Sequence, residues 1–338
     1  MPDVLSDVRK TIAAERPFSW KAFFLQWEWL LVVVFVAIHI FNSWLTPYYL
    51  DPLNLIDATL TFLDKAFIAL PMAFVIIMGE IDISVGSTVA LSSVLMGMAY
   101  HAGVPMGLAI VICLLVGVLC GVVNGILLTK FSELAPMIVT LSTMIIFRGI
   151  ALILLEDQAV GKFPSWFEYF GWEYLGPVPF MLFFFLLMAL VFGLFLHKTT
   201  FGRHVFAIGS NSTASLFSGV PVARVRLLVY TLIGLMSGVT AVFLTSRMGS
   251  TRPNVAQGYE LDVIAMVVLG GVSTSGGKGR MIGVVLSVFI VGFLRYGLGL
   301  KNVSAQALMI IIGLLLIFAV MLPNLRVMLA GYLARKRN

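Results

Sequence analysis

The sequence predicts an all-α, polytopic membrane protein of about ten transmembrane helices, with both termini cytoplasmic. Of its 338 residues, 60% are hydrophobic and only 11% charged, with a mean hydropathy of +1.04. Soluble domains carry about 25% charged residues. Apolar runs approaching the ~20 residues that cross a bilayer recur along the chain, separated by short loops. Runs such as 180–196 are apolar on every face, unlike the ~10-residue alternating strands of a membrane barrel. The helix is then the structure that satisfies its own backbone in lipid.

The elements follow in order. A polar leader, 1–26, precedes a first span at 27–45, with Trp20, Trp27, Trp29 and Trp44 near its ends as an interfacial aromatic belt. Residues 1–21 are polar and mixed in charge, so no cleavable signal is expected. Pro47 and the Asp51-Pro52 pair break the chain, and a second span, 60–78, contains Pro71. A third, 87–100, follows the acidic stretch GEIDISVG. The fourth, 106–129, carries Gly107, Gly117, Gly121 and Gly125, small residues that permit close helix approach in lipid. Spans at 135–155, 180–196, 227–245, a short 261–269, 281–300 and 304–322 complete the ten. The transmembrane domain is 27–322, and a basic tail occupies 323–338. Cys113 and Cys120 lie inside the fourth span and read as core residues.

Charge tests the count. With ten spans the leader, the Lys130 turn, the 198–226 segment, the Lys278 loop and the tail share one side. They hold 15 of the 22 Lys and Arg residues, against four (Lys162, Arg247, Arg252, Lys301) in the opposite loops. The positive-inside bias makes the first side cytoplasmic. The net charge of +6 is therefore spent at helix ends, which argues against a nucleic-acid surface.

The longest polar, glycine-punctuated segment is 199–226. Gly202 and Gly209 bracket an apolar turn, Asn211 or Ser212 is placed to cap a short helix, and Gly219 with Pro221 ends it. Such a helix is either an ordinary amphipathic surface loop or one that docks in a partner's groove. Glu80 and Asp82 are ionisable groups within an apolar region, which mark a functional or packing site. They either line a polar path or cap the broken ends of two helices. Glu260 and Asp262, at the start of the eighth span, carry the same ambiguity, and acids there favour the helix dipole. Arg148 and Arg295 within spans are expected to pair with acids or snorkel.

The glycines of 270–279 suggest a phosphate loop, but the spacing fails. Val272 stands where the first glycine is needed, and Gly279 follows the lysine instead of Ser or Thr. These glycines fit a helix break instead. The four histidines (His39, His101, His197, His204) are scattered, form no HExxH and suggest no intramembrane enzyme.

Four stretches in order, GEIDISVGS (79–87), PMIVTLSTMIIFRG (136–149), GRHVFAIGSNSTASLFSGVPV (202–222) and GYELDVIAMVVLGGVSTSGGKGRMIG (258–283), resemble the ribose-type permeases of bacterial ABC importers. Residues 69–87 and 197–209 also resemble autoinducer-2 permeases, and rhamnose permeases are similar. The chain departs from the family pattern at Gly79-Glu80 and at Ala214-Ser215. The resemblance implies a non-enzymatic transport subunit in the bacterial inner membrane, carrying a ribose-, rhamnose- or autoinducer-2-like molecule. It implies as partners ATP-binding-cassette ATPase subunits, a periplasmic substrate-binding protein and a second permease copy or paralogue. ATP would be used by the partner, and no cofactor is expected on this chain. Gly202, Arg203, Gly209, Asn211, Ala214, Ser218, Gly219 and Val220 become the ATPase-coupling segment. Glu80, Asp82, Ser84, Gly86, Thr140, Arg148, Glu260, Asp262, Gly270, Gly271, Gly276 and Gly277 become candidates for the translocation path or its helix breaks. The acidic, aromatic loop 156–179 is a candidate landing surface for the binding protein or a solvated cap. An ion-coupled secondary transporter of a small polar solute is the competing reading.

Overall fold

The structure, a computed structural model, describes residues 27–156 and 158–304 with scattered helical positions as far as 321. The leader, the tail and most of the tenth span lie outside the described residues. What is described is helical, with four two-residue strands in the loops. The helices are α1 Trp27–Leu45, α2 Pro52–Leu60, α3 Leu63–Ile77, α4 Val85–His101, α5 Met106–Lys130, α6 Pro136–Leu155, α7 Ser165–Phe170, α8 Phe180–Lys198, α9 Thr200–Ser210, α10 Ser212–Phe217, α11 Val222–Met248, α12 Tyr259–Leu269 and α13 Met281–Leu300. The strands are β1 Val160–Gly161, β2 Tyr174–Leu175, β3 Val178–Pro179 and β4 Ser250–Thr251.

Six described helices (α1, α5, α6, α8, α11, α13) are long and apolar enough to cross a membrane, and α2 with α3 makes a seventh as a bent pair. The chain is a multi-pass membrane protein. Of the ten expected spans, the tenth lies mostly outside the described residues, and the third and eighth are the shorter helices α4 and α12. The expected second span, 60–78, is α3, and ahead of it stands α2, which meets α3 at 59°: Asp51 caps Leu53 N, and Pro52 opens α2 instead of only ending what precedes it. α4 and α12 have 17 and 11 residues, or about 26 and 17 Å at 1.5 Å per residue, against a hydrocarbon core of about 30 Å.

These short helices are the inside of the protein. Every residue of α3 is buried, and α4 is buried along its first ten positions. In lipid the outward surface is as apolar as the core, and α5, α6 and α8 accordingly present Leu115, Leu119, Ile145, Ile153, Leu187 and Leu190 outward. α11 is held against α5 by small residues: a Cβ on Gly121 would overlap the Tyr230 carbonyl, and one on Gly117 would overlap that of Gly234. Gly107, by contrast, meets nothing within 4 Å. Cys113 and Cys120 are free and buried, and the Cys113 thiol donates to the Gly238 carbonyl at 3.6 Å.

Contacts sort the helix ends into two groups. At one end Trp27 donates to Leu269 O at 3.0 Å, Arg280 pairs with Glu28 at 2.9 Å, and Gly277 N donates to Ile77 O at 2.8 Å. At the other, β1 pairs antiparallel with β4, His101 Nε2 bonds Gly161 O at 2.8 Å, and Tyr174 donates to Asp57. The helix ends alternate between these groups along the chain.

Candidate functional site

The candidate site begins at the break between α3 and α4. Residues 80–83 belong to neither helix nor strand and are buried or half-buried, where the cost of irregular backbone is met only by partners inside the fold. Asp82 supplies one: its Oδ1 accepts from Ser84 N at 2.8 Å and Ser84 Oγ at 2.7 Å. Asn124 of α5 donates to Ser84 Oγ at 2.8 Å, and Thr140 of α6 donates to the Ile81 carbonyl at 3.2 Å. Glu80 is held differently. Arg226, at the start of α11, places Nε 2.7 Å from its Oε1 and donates to Leu128 O at 3.1 Å. Glu80 Oε2, Asn124 Oδ1 and the Tyr230 hydroxyl are buried without a hydrogen bond to a described residue. Buried polar atoms are normally satisfied, so these three stand out as a polar cluster at the break.

A second polar cluster lies where α3, α11, α12 and α13 meet. Asp262 accepts from Lys65 Nζ at 2.8 Å and from Arg295 at 2.5 Å. Asp64 accepts from Arg247 at 2.7 Å and from the Tyr259 hydroxyl at 3.0 Å. Lys65 also stands over the Tyr259 ring at 5.0 Å, a cation–π contact. Intramembrane charges need such pairing. Arg295 pairs as its position within a span implied. Arg148 instead donates to the carbonyls of Pro253 and Val255 at 2.6 and 2.7 Å, fixing the strap before α12. Arg247, counted above as a loop residue, lies in the last turn of α11 and is paired inside the fold. Glu260 Oε1 accepts from Gly258 N at 3.2 Å, a local helix-start contact.

The glycines take places that their sequence positions did not reveal. Gly86 lies in the first turn of α4, where a Cβ would overlap Glu260 Oε2 and stand 2.6 Å from Ala256 O. Gly270 packs on Val284 and Gly271 on the Trp27 indole. Gly276 and Gly277 turn the loop before α13 with φ of +82° and +71°.

The 199–226 segment also departs from expectation at its start. Gly202 and Gly209 do not bracket a turn; both lie inside α9, a helix whose N-terminus Thr199 caps by accepting from Gly202 N at 3.2 Å. Neither glycine is there for freedom of backbone. A side chain on Gly202 would overlap the Leu196 carbonyl, and one on Gly209 that of Ile77. Asn211 is the residue that caps α10, accepting from Ala214 N at 2.8 Å, and Gly219 at φ +83° ends that helix. Arg203 is exposed on α9, and Ser218 returns its hydroxyl to Ala214 O at 2.9 Å. Ala214 is exposed, and Val220 N donates back to Ser215 O at 3.0 Å. At the tip, Leu216 and Phe217 are 60% and 86% exposed.

Sequence reasoning missed Asp64, Lys65, Arg247, Tyr259, Asn124, Tyr230 and Arg226 as members of these clusters. Lys65 gave a signal, since a cation within an apolar run requires an anion nearby. Asp64 beside it gave the same signal, whereas Arg226, Arg247, Tyr230, Tyr259 and Asn124 were distant in sequence and gave none.

A buried break lined by polar groups, inside a bundle of short and long membrane helices, defines a membrane transport body. The chain belongs to the family described as branched-chain amino acid transport system / permease component, which matches residues 54–320. It is 39% identical over 296 residues to the ribose import permease protein of Bacillus subtilis (strain 168), covering 87% of this chain and 90% of that protein. It is 38% identical over 323 residues to the autoinducer 2 import system permease protein of Escherichia coli (strain K12), covering 92% of this chain and 97% of that one. No solved structure matches.

Proposed function

We propose that this chain is the membrane subunit of an ATP-binding-cassette importer in a bacterial inner membrane, passing a ribose-, rhamnose- or autoinducer-2-like molecule inward. The observation that carries the reading is α10: a short capped helix at the basic end of the bundle, presenting Leu216 and Phe217 to solvent. Isolated exposed apolar residues are common. An exposed pair on a short helix of a polar segment forms a docking knob, and a groove in an ATPase subunit would receive it. The basic end is then cytoplasmic. A binding protein would deliver cargo at the opposite end, beside the loop 156–179, and a second permease subunit would complete the path. The polar cluster of Glu80, Asp82, Ser84 and Asn124 would offer acceptors and donors to sugar hydroxyls at low affinity once a path opens beside it, which suits a passage.

The ion-coupled reading draws less support. It needs carboxylates able to hold a travelling ion, whereas Glu80 is paired to Arg226 and Asp262 to Lys65 and Arg295, while Asp82 accepts from Ser84 and Glu260 from Gly258 N. The test is reconstitution. Purified with its ATPase partner, the subunit should support substrate-stimulated ATP hydrolysis, and deleting residues 209–219 should abolish it while insertion persists. Uptake in liposomes lacking any ATPase would refute the assignment.

A further inference from the structure

Lys65 and Arg295 share one carboxylate, and the sharing leaves a charge over. Around them Arg247 matches Asp64, and Arg148 and Glu260 offset each other electrostatically. Lys65 and Arg295 both donate to Asp262, at 2.8 and 2.5 Å, so one positive charge has no counterpart. The Lys65 side chain is only 6% exposed, and a charge taken that far from water needs an opposite one beside it. No acid follows Asp262 in the sequence, so residues of the tenth span cannot bring one. Asp51 and Asp57 are exposed loop residues of this end, and Asp57 already accepts from Tyr174. Arg295 Nε is buried and donates to no described residue.

A cavity of about 330 Å³ opens at this imbalance. Lys65, Arg295 and Tyr296 give it a polar wall, and Phe62, Leu300 and Leu308 an apolar one. Gly299, in the last turn of α13, also lines it, and a Cβ there would meet nothing within 4 Å. Lys65 lies in the first turn of α3 and Arg295 five positions before the end of α13, both at the end away from the basic loops. At 1.5 Å per residue both are within about 8 Å of their helix ends, where hydrocarbon gives way to headgroups.

We infer that this cavity binds a phosphate-class oxyanion, carried on a phospholipid headgroup, with Arg295 and Lys65 as its ligands. Asp262 engages only Nη2 of the guanidinium, and the planar fork can take a second oxyanion through its other nitrogens. The apolar wall favours the lipid as the source. It would strip water from a free phosphate, at a cost, but it shelters the chains attached to a lipid phosphate. The bound phosphate supplies the negative charge that Lys65 and Arg295 lack. The inference does not depend on the importer reading.

The experiment titrates the whole chain, freed of lipid in a neutral detergent, with phosphatidylglycerol and with diacylglycerol of the same chains, followed by native mass spectrometry. Phosphatidylglycerol should bind about tenfold tighter or more, the least that one charge-assisted hydrogen bond supplies. Equal affinities, together with no effect of inorganic phosphate on the unfolding midpoint, would overturn the inference. Inorganic phosphate that raises the midpoint and displaces the lipid would support the site and assign it to a soluble oxyanion. Two variants locate the binding. Arg295→Gln leaves Lys65 and Asp262 as a matched pair, so the preference should vanish with no loss of the lipid-free midpoint. Gly299→Ile fills the cavity and removes no charge, so it should erase the preference too, and it decides the matter if Arg295→Gln fails to fold. A preference undiminished in Gly299→Ile would put the lipid elsewhere and overturn the assignment.

Discussion

The Arg247 guanidinium lies 2.7 Å from the Asp64 carboxylate, joining the last turn of α11 to the first turn of α3. Asp64 is fully buried, and Tyr259 of α12 bonds the same oxygen. Three helices are thereby fixed to each other at one buried oxygen. Removing one partner strands a buried charge, which costs about 3–5 kcal/mol, whereas replacing both by apolar residues can be near neutral. Arg247→Met should therefore lower the unfolding midpoint in detergent more than Asp64→Leu/Arg247→Met does. Equal losses in the two variants would show that the pair contributes only its packing.

The α5–α11 contact gives a steric prediction. Gly121→Leu forces a side chain into the Tyr230 carbonyl, and overpacking costs about 1–3 kcal/mol or more. The same change at Gly107, where nothing lies within 4 Å, should be tolerated. Thermal unfolding in detergent would compare the two, and matching midpoints would refute the close approach.

At the tip of α10, Phe217→Asp alters a side chain that is 86% exposed. It should leave the unfolding midpoint unchanged, because surface substitutions are usually within about 0.5 kcal/mol. Capture of the ATPase partner should drop at least tenfold in co-purification. Undiminished capture would remove Phe217 from the docking surface.

The loop at the other end carries a pH prediction. Tyr174 donates to Asp57, and loss of solvent first, then the Asp57 carboxylate, push its phenol up to about 12 from an ordinary 10.0. With the folded value raised, the contact is fully present below pH ~10 and is lost as pH rises through about 12. A difference titration of phenolate absorbance between wild type and Tyr174→Phe should place the missing transition near 12; a transition near 10 would contradict it.

Much of the fold was legible because lipid imposes it. The first, fifth and ninth spans were read at 27–45, 135–155 and 281–300, and the helices run Trp27–Leu45, Pro136–Leu155 and Met281–Leu300. Sustained apolarity over about twenty residues marks a membrane-embedded helix with no help from its neighbours. The second span was read at 60–78 and α3 runs Leu63–Ile77, but α2 ahead of it was missed because Asp51-Pro52 serves equally as a break and as a helix start. In 199–226 the cap at Asn211 was readable as local chemistry, while the helix through Gly202 and Gly209 was not. Those glycines answer to the carbonyls of Leu196 and Ile77, and the second lies 132 positions away in the chain.

The sequence alone determined that the chain lives in a bilayer, that its basic loops gather at one end, and which local stretches cap or break helices. These follow from solvent preference and short-range hydrogen bonding, which each residue carries with it. Only the tertiary structure decided that Lys65 and Arg295 share Asp262, that Arg226 answers Glu80, and that Gly209, Gly277 and Ile77 meet. Charge pairing and close backbone approach depend on distances in space, and residues far apart in sequence bear no mark of the partner they will find.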